Sequence, residues 1–333
     1  MFMSLQAKSS TAEKKMKINN RIAAIDIGTN SFHLVIVEVQ SDNSFKLLDK
    51  QREVIRLGSH KGEDLSVISE GEIEKAIDIL RNYKMLAEHY GASIRAVATS
   101  AVRESDNKEK FVKTVKEKTG IDVEVVDGRT EAKLIFYGIM NAIDVKGKKV
   151  LCMDIGGGSS EFIYAENEKP IITESVKIGA VRLSKKFFPD FILRKDSVEA
   201  CHSYVEAQIS YIKYLLEGKK IDQVIGASGT IVAAAILVQE LFNKPRKKSI
   251  NKMSFTSDEL DFVYNEIISR KTPAERVSLP GMELKRADII PAGIIILKTI
   301  FDLFEIKQIT LSEYALREGI IYDTILKQST IKN

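Results

Sequence analysis

Residues 150–165, Val-Leu-Cys-Met-Asp-Ile-Gly-Gly-Gly-Ser-Ser-Glu-Phe-Ile-Tyr-Ala, place one carboxylate ahead of three glycines and a second carboxylate behind two hydroxyls. Glycines allow close approach to the backbone, and a concave set of amide N–H groups binds anions such as phosphate. Asp154 would repel a phosphate unless a cation stands between them, and Mg²⁺ takes oxygen ligands of this kind. A glycine hairpin with a solvated Asp is the plainer reading, and this loop alone leaves both open. A second copy adds weight. Asp26-Ile27-Gly28-Thr29-Asn30-Ser31 matches Asp154-Ile155-Gly156-Gly157-Gly158-Ser159 at four of six positions, between similar apolar flanks. An internal repeat implies two similar halves. Each half then offers a phosphate hairpin, and the economical arrangement faces them across a cleft.

Other residues could serve the same chemistry. Gly226-Ala227-Ser228-Gly229-Thr230 lies between an apolar stretch and a helical one, so helix N–H groups would point at an anion. It lacks the Gly-Lys-Ser/Thr ending of a Walker A loop. Arg103 lies just past a predicted strand at 93–98, where open α/β sheets place ligands. It reads as a phosphate clamp or as a surface arginine pairing with Glu104 or Asp106. Glu131 falls in the first turn of a predicted helix, which the helix dipole explains, or serves as a base for an attacking water. Lys244 to Lys252 carries Arg246, Lys247 and Lys248. This is a solvated loop or a funnel for a polyanion. His33, His60, His89 and His202 show no metal spacing and read as structural or surface residues.

The elements that must position these groups alternate. Strands are expected at 22–39 around the first turn and at 46–57, then a capped helix from Ser69-x-x-Glu72 to about Tyr90. A strand at 93–98, a helix near 107–119 and a strand at 122–126 precede the Glu131 helix, which runs to about 143. The second half repeats hairpin strands at 150–165 and 170–178, a helix over 196–217, a strand at 222–225 and a helix to 242. A helix at 288–303, a strand at 307–311 and a last helix from Ser312 close the chain.

With 333 residues, the chain accommodates about two domains. Hydrophobic residues at 44% and charged residues at 29% are ordinary for a globular protein, and no apolar run reaches the ~20 residues of a membrane span. Residues 1–19 lack the apolar core of a secretory signal and read as a frayed leader. Cys152 and Cys201 make no disulfide framework, in keeping with a reducing cytoplasm. A net charge of +4 does not argue for nucleic acid, and the basic residues lack interleaved aromatics to stack bases.

Taken together, Asp26–Ser31, Thr99–Arg103, Asp127–Tyr137, Asp154–Glu161, Gly226–Thr230, Arg286–Gly293 and Leu316–Gly319 resemble the successive motifs of the Ppx/GppA family. These are exopolyphosphatases and guanosine pentaphosphate phosphohydrolases of the sugar kinase/Hsp70/actin superfamily. The resemblance covers about residues 20–328. It implies an α/β fold of two ribonuclease H-like domains with an interdomain cleft, the final helix returning to the first. The corresponding division is 20–135 plus 313–333 for the first domain and 136–312 for the second.

The resemblance also implies roles. Glu131 matches the catalytic carboxylate, Asp154 a magnesium-associated aspartate, Glu161 its acidic partner at the metal, and Arg103 a substrate-contacting arginine. Gly28, Thr29, Asn30, Ser31, Gly156, Gly157, Gly158, Ser159, Gly226, Ser228, Gly229 and Thr230 match phosphate-binding loops. Arg286, Lys247 and Lys248 are weaker substrate contacts. Where many members have two consecutive Glu, this chain has Thr130-Glu131, so the role falls on the Glu before Ala132. The chain ends at Asn333 without the helical region of longer members, like the short two-domain form. The implied activity is Mg²⁺-dependent release of terminal orthophosphate from polyphosphate or guanosine pentaphosphate, through a water oriented by Glu131, with a homodimer as a family-level expectation. The competing readings are a superfamily kinase acting on a small metabolite and a non-catalytic sensor of polyphosphate or nucleotide.

Overall fold

The computed structural model describes residues 20–57, 66–245 and 249–330. The leader, Gly58, His60, Gly62, Arg246, Lys247 and Lys248 lie outside these residues.

The first half forms β1 (Arg21–Ile27), β2 (Ser31–Val39), β3 (Phe45–Val54), α1 (Glu70–His89), β4 (Ser93–Ala98), α2 (Ser100–Arg103), α3 (Lys108–Thr119), β5 (Val123–Val125) and α4 (Gly128–Ala142). The second forms β6 (Lys149–Ile155), β7 (Ser160–Glu166), β8 (Lys169–Val176), α5 (Ala180–Phe187), α6 (Lys195–Leu215), β9 (Gln223–Ala227) and α7 (Gly229–Leu241). It continues through β10 (Ser254–Thr256), α8 (Ser257–Ser269), α9 (Pro273–Val277), a 3₁₀ turn at Leu284–Arg286, α10 (Ile290–Leu303), β11 (Gln308–Leu311) and α11 (Leu316–Thr330).

The strand order repeats as the sequence does. One sheet runs β3-β2-β1-β4-β5; the other runs β8-β7-β6-β9-β11, with β10 added at its edge. In each, a three-stranded antiparallel meander continues into parallel strands. Two sheets of this order, with helices packed on them, are the two ribonuclease H-like units expected of the chain. The central strands β1 and β6 are apolar along nearly their whole length because they are covered on both faces. α10 is apolar all round and accordingly buried from Ile290 to Leu297.

Three large apolar clusters hold the molecule. One lies under the first sheet against α1 and α3, and one under the second against α6, α7, α8 and α10. The third joins them, with Ile22 and Ala24 of β1, Val150 and Cys152 of β6, α4 and α11 in one continuous core. α4 and α11 cross at glycine. A Cβ on Gly319 would lie 1.7 Å from the Leu134 carbonyl oxygen, and one on Gly138 would lie 2.0 Å from that of Ala315. Only backbone-to-backbone contact lets the two helices cross this closely. The crossing fixes where Glu131, near the start of α4, and Arg317, near the start of α11, stand.

Candidate active site

Both hairpins are built alike. In β1–β2 the register pairs Asp26 with His33 and Ile27 with Phe32; in β6–β7 it pairs Asp154 with Glu161 and Ile155 with Ser160. β1 and β2 are joined by the three residues 28–30, and β6 and β7 by the four residues 156–159. The hairpins meet tip to tip, since a Cβ on Gly157 would lie 3.1 Å from the Asn30 nitrogen and 3.2 Å from the Thr29 Cβ.

Around this meeting point lies a cavity of about 330 Å³. Gly28, Thr29, Asn30, Ser31, Gly156, Gly157, Ser159, Ser228, Gly229, Thr230, Glu131, Asp154, Glu161 and Arg286 all line it. Gly158 and Gly226 do not. The Gly158 carbonyl accepts from Arg182 Nε at 2.7 Å, and Gly226 faces the side chains of Ile231 and Ile309. Arg103 stands behind the wall, with Nη1 donating to Glu131 Oε2 at 2.6 Å and to the Val126 carbonyl at 3.1 Å. It pairs with neither Glu104 nor Asp106. Glu104 instead receives both Arg182 and Lys177 from the second half.

Glu131, Asp154 and Glu161 are buried carboxylates that line the cavity, and the half-buried Asp26 lines it beside them. Burial favours the neutral form, and each carboxylate discourages ionisation of the next. Burial, with Glu131 and Asp154 adding to it against the opposing Arg317, pushes Asp26 up to about 8. Burial and then Glu131 raise Asp154 to about 7. Glu161 is driven well above the usual carboxylate range by burial, Glu131 and Asp154, although it accepts from Ser175 Oγ at 2.7 Å. Burial also raises Glu131, with Arg103 pulling the other way.

Asp154 and Glu161 sit directly opposite each other on neighbouring strands, a costly arrangement for two like charges. A cation between them relieves it. Mg²⁺ is commonly held by one or two carboxylates together with substrate phosphates and its own waters. The pair suits that mode, while among the described residues no three carboxylate, imidazole or thiol side chains gather into a cage. Asn30 Oδ1 is buried and, among the described residues, has no hydrogen-bond partner. Ser228, the N-cap of α7, has φ 93° and ψ 160°, a conformation that belongs to glycine.

The family model described as the Ppx/GppA phosphatase family matches residues 35–328. The chain belongs to the Ppx/GppA phosphatase family. A Haemophilus influenzae protein assigned as an exopolyphosphatase is 28% identical over 318 residues, covering 94% of each chain. A guanosine-5'-triphosphate,3'-diphosphate pyrophosphatase of Vibrio parahaemolyticus is 30% identical over 93% of this chain, which spans 61% of that protein's length. An exopolyphosphatase crystal structure from Cytophaga hutchinsonii superposes with a TM-score of 0.84 at 29% identity, over 92% of this chain and 98% of that one. The similarity to these Ppx/GppA proteins extends over both halves and therefore over both hairpins.

Several cleft residues carry no chemical signal of their own in the sequence. Asp26 aligns with Asp154 in the repeat, and that alignment is the signal for it. His33, which reads from the sequence as structural or at the surface, lines the cavity, accepting from Arg317 at Nδ1 (3.3 Å) and contacting Ser31 Oγ through Nε2 (2.9 Å). Lys50, Arg52 and Arg317 also line it. Lys244, at the start of the basic stretch, pairs with Glu259. No helix among the described residues is long and apolar enough to cross a membrane, and both cysteines are free and buried.

Proposed function

We propose that this Ppx/GppA member is a phosphoanhydride hydrolase that releases terminal orthophosphate from inorganic polyphosphate, guanosine pentaphosphate or both. The observation that carries this reading is the meeting of the two glycine hairpins beside the buried Glu131 carboxylate. In this proposal the terminal phosphoryl group lies between the hairpins, where backbone N–H groups and the α7 N-terminus face its oxygens. A divalent cation held by Asp154 and Glu161 would neutralise phosphoryl charge. Glu131 accepts the proton of an attacking water, and Arg103 aims its carboxylate and favours the ionised form against the upward push of burial. Phosphoryl transfer passes through a loose transition state, so placement and fixed charge supply most of the acceleration.

The competing kinase and sensor readings predict different outcomes. Phosphate release is to be followed side by side on polyphosphate and guanosine pentaphosphate at matched Mg²⁺, with ATP as a third substrate. Release of orthophosphate without an acceptor supports the hydrolase. Tight binding with no release from either substrate, or transfer from ATP to an added metabolite only, would overturn it.

A further inference from the structure

The outer part of the cleft has a charge pattern that the hairpins do not explain. Register across the first sheet sets Asp26, His33 and Arg52 side by side on β1, β2 and β3. Lys50, two residues earlier on β3, shares that face. Arg317 reaches in from α11, and Arg286 faces them from the second half. His33 sits amid these cations, and burial together with Arg317, Arg52, Lys50 and Arg286 holds it neutral.

One carboxylate spans the gap. Glu283 accepts from Arg52 Nη1 at 3.2 Å and from Arg286 Nε at 2.8 Å, so a single anion bridges a guanidinium from each half. Glu283 is 42% exposed, and ion pairs at such positions contribute little to stability. Among the described residues, Arg52 Nε and Nη2 are buried and have no hydrogen-bond partner. Buried donors left unpaired are costly. That edge of the Arg52 fork lacks an acceptor while Glu283 holds the other nitrogen, and a phosphate taking the place of Glu283 could accept from the guanidinium in parallel. Arg52 lies beyond His33 on the edge strand β3, two residues before the Val54 that pairs with Ser31, and the rest of a polyanion bound by its end would run past it.

We propose that Arg52 is a specificity-determining residue that receives the phosphate following the terminal one, and that Glu283 is the counter-ion this phosphate displaces. The direction of the substrate chain rests on the hydrolase reading above; the anion subsite itself does not. The ligand class is an inorganic or nucleoside polyphosphate with at least two linked phosphates. Orthophosphate, with only one, engages the hairpins and not Arg52.

The test is calorimetric titration of the full chain, with Mg²⁺ present, using orthophosphate and imidodiphosphate, whose P–N–P bridge resists hydrolysis. Charge-assisted hydrogen bonds lead us to expect Arg52→Gln to weaken imidodiphosphate about 10-fold while orthophosphate changes less than about 2-fold. Glu283→Gln should tighten imidodiphosphate about 3-fold, since the competing carboxylate is gone. The Arg56–Asp288 pair, which also crosses the cleft, remains in both variants and keeps the halves joined. Unchanged imidodiphosphate affinity in Arg52→Gln, equal loss for both ligands, or weaker imidodiphosphate binding in Glu283→Gln would each overturn the subsite. So would a wild-type protein that binds neither ligand. If the expected order of affinities holds and no phosphate is ever released from polyphosphate, the hydrolase reading fails and the subsite stands.

Discussion

The Arg103 guanidinium closes on the Glu131 carboxylate, Nη1 to Oε2 at 2.6 Å, and the same nitrogen is anchored on the Val126 carbonyl. Both groups are largely withdrawn from solvent, with side-chain exposures of 19% and 7%. A pair this buried is sensitive to loss of either member, because the survivor is left as an uncompensated charge. Arg103→Gln should therefore let burial push Glu131 further up. The acid limb of the phosphate-release profile would then move to higher pH, since the base must be ionised to act. Arg103→Lys keeps the charge and should restore part of the shift. Profiles that superpose for all three proteins would show that Arg103 does not set the ionisation of Glu131.

The crossing of α4 and α11 predicts a large effect from a small side chain. A methyl group at position 319 would fall 1.7 Å from a backbone oxygen that cannot rotate away. Gly319→Ala must separate the helices, and overpacking of this kind costs about 1–3 kcal/mol or more. Urea unfolding should show that loss, together with reduced phosphate release as Glu131 and Arg317 shift. A variant as stable and active as the parent would mean the helices cross elsewhere.

At Ser228 two effects of unequal size compete. Its backbone lies where only glycine is comfortable, at a cost of about 1–3 kcal/mol. Its hydroxyl caps α7 by accepting from the Ile231 N–H at 3.5 Å, a long contact, and exchanging a serine cap for glycine costs only a few tenths of a kcal/mol. Strain wins, so Ser228→Gly should raise stability by about 1 kcal/mol. Thermal unfolding decides it, and a lower midpoint for the variant is the contrary result.

Asp26 gives a pH dependence of definite sign. Its folded value of about 8 lies above the ordinary 3.8, so over that interval the folded chain binds the additional proton. Stability contributed by this group is full at acidic pH and is lost as pH rises towards 8. Asp26→Asn removes the penalty, and each pKa unit corresponds to ~1.4 kcal/mol. In chelator-treated protein the variant should gain on the parent steadily from about pH 5 to about pH 8, by on the order of 2 kcal/mol or more. Parallel stability curves would refute this account of the cleft.

Much of this architecture is legible in the chain because its causes are local. The D-I-G repeat fixes two equivalent hairpins, and β4 falls at Ser93–Ala98 as its residues imply. The Ser69–Glu72 capping box starts α1 where expected, with Ser69 N donating to Glu72 Oε2 at 2.8 Å. The last helix begins at Leu316 rather than Ser312, because Glu318 reaches back to cap the Ala315 N–H. Helix α8 had a signal of the same kind, Thr256-x-x-Glu259, overshadowed by the charge run before it. The four-residue α2 and three-residue β10 offer no periodicity to read. Arg52 and Arg317 could not be placed locally. Their side chains reach the cleft only because β3 pairs with β2 and α11 folds back across α4, contacts set by tertiary packing rather than by neighbouring residues.

The central claim is that Glu131 takes the proton of the attacking water. Its most direct test is the rate of orthophosphate release from polyphosphate or guanosine pentaphosphate by Glu131→Gln, a change that keeps shape and removes the base. The account predicts a loss of about 10²–10⁴-fold with substrate binding retained. Turnover close to that of the parent protein would contradict it.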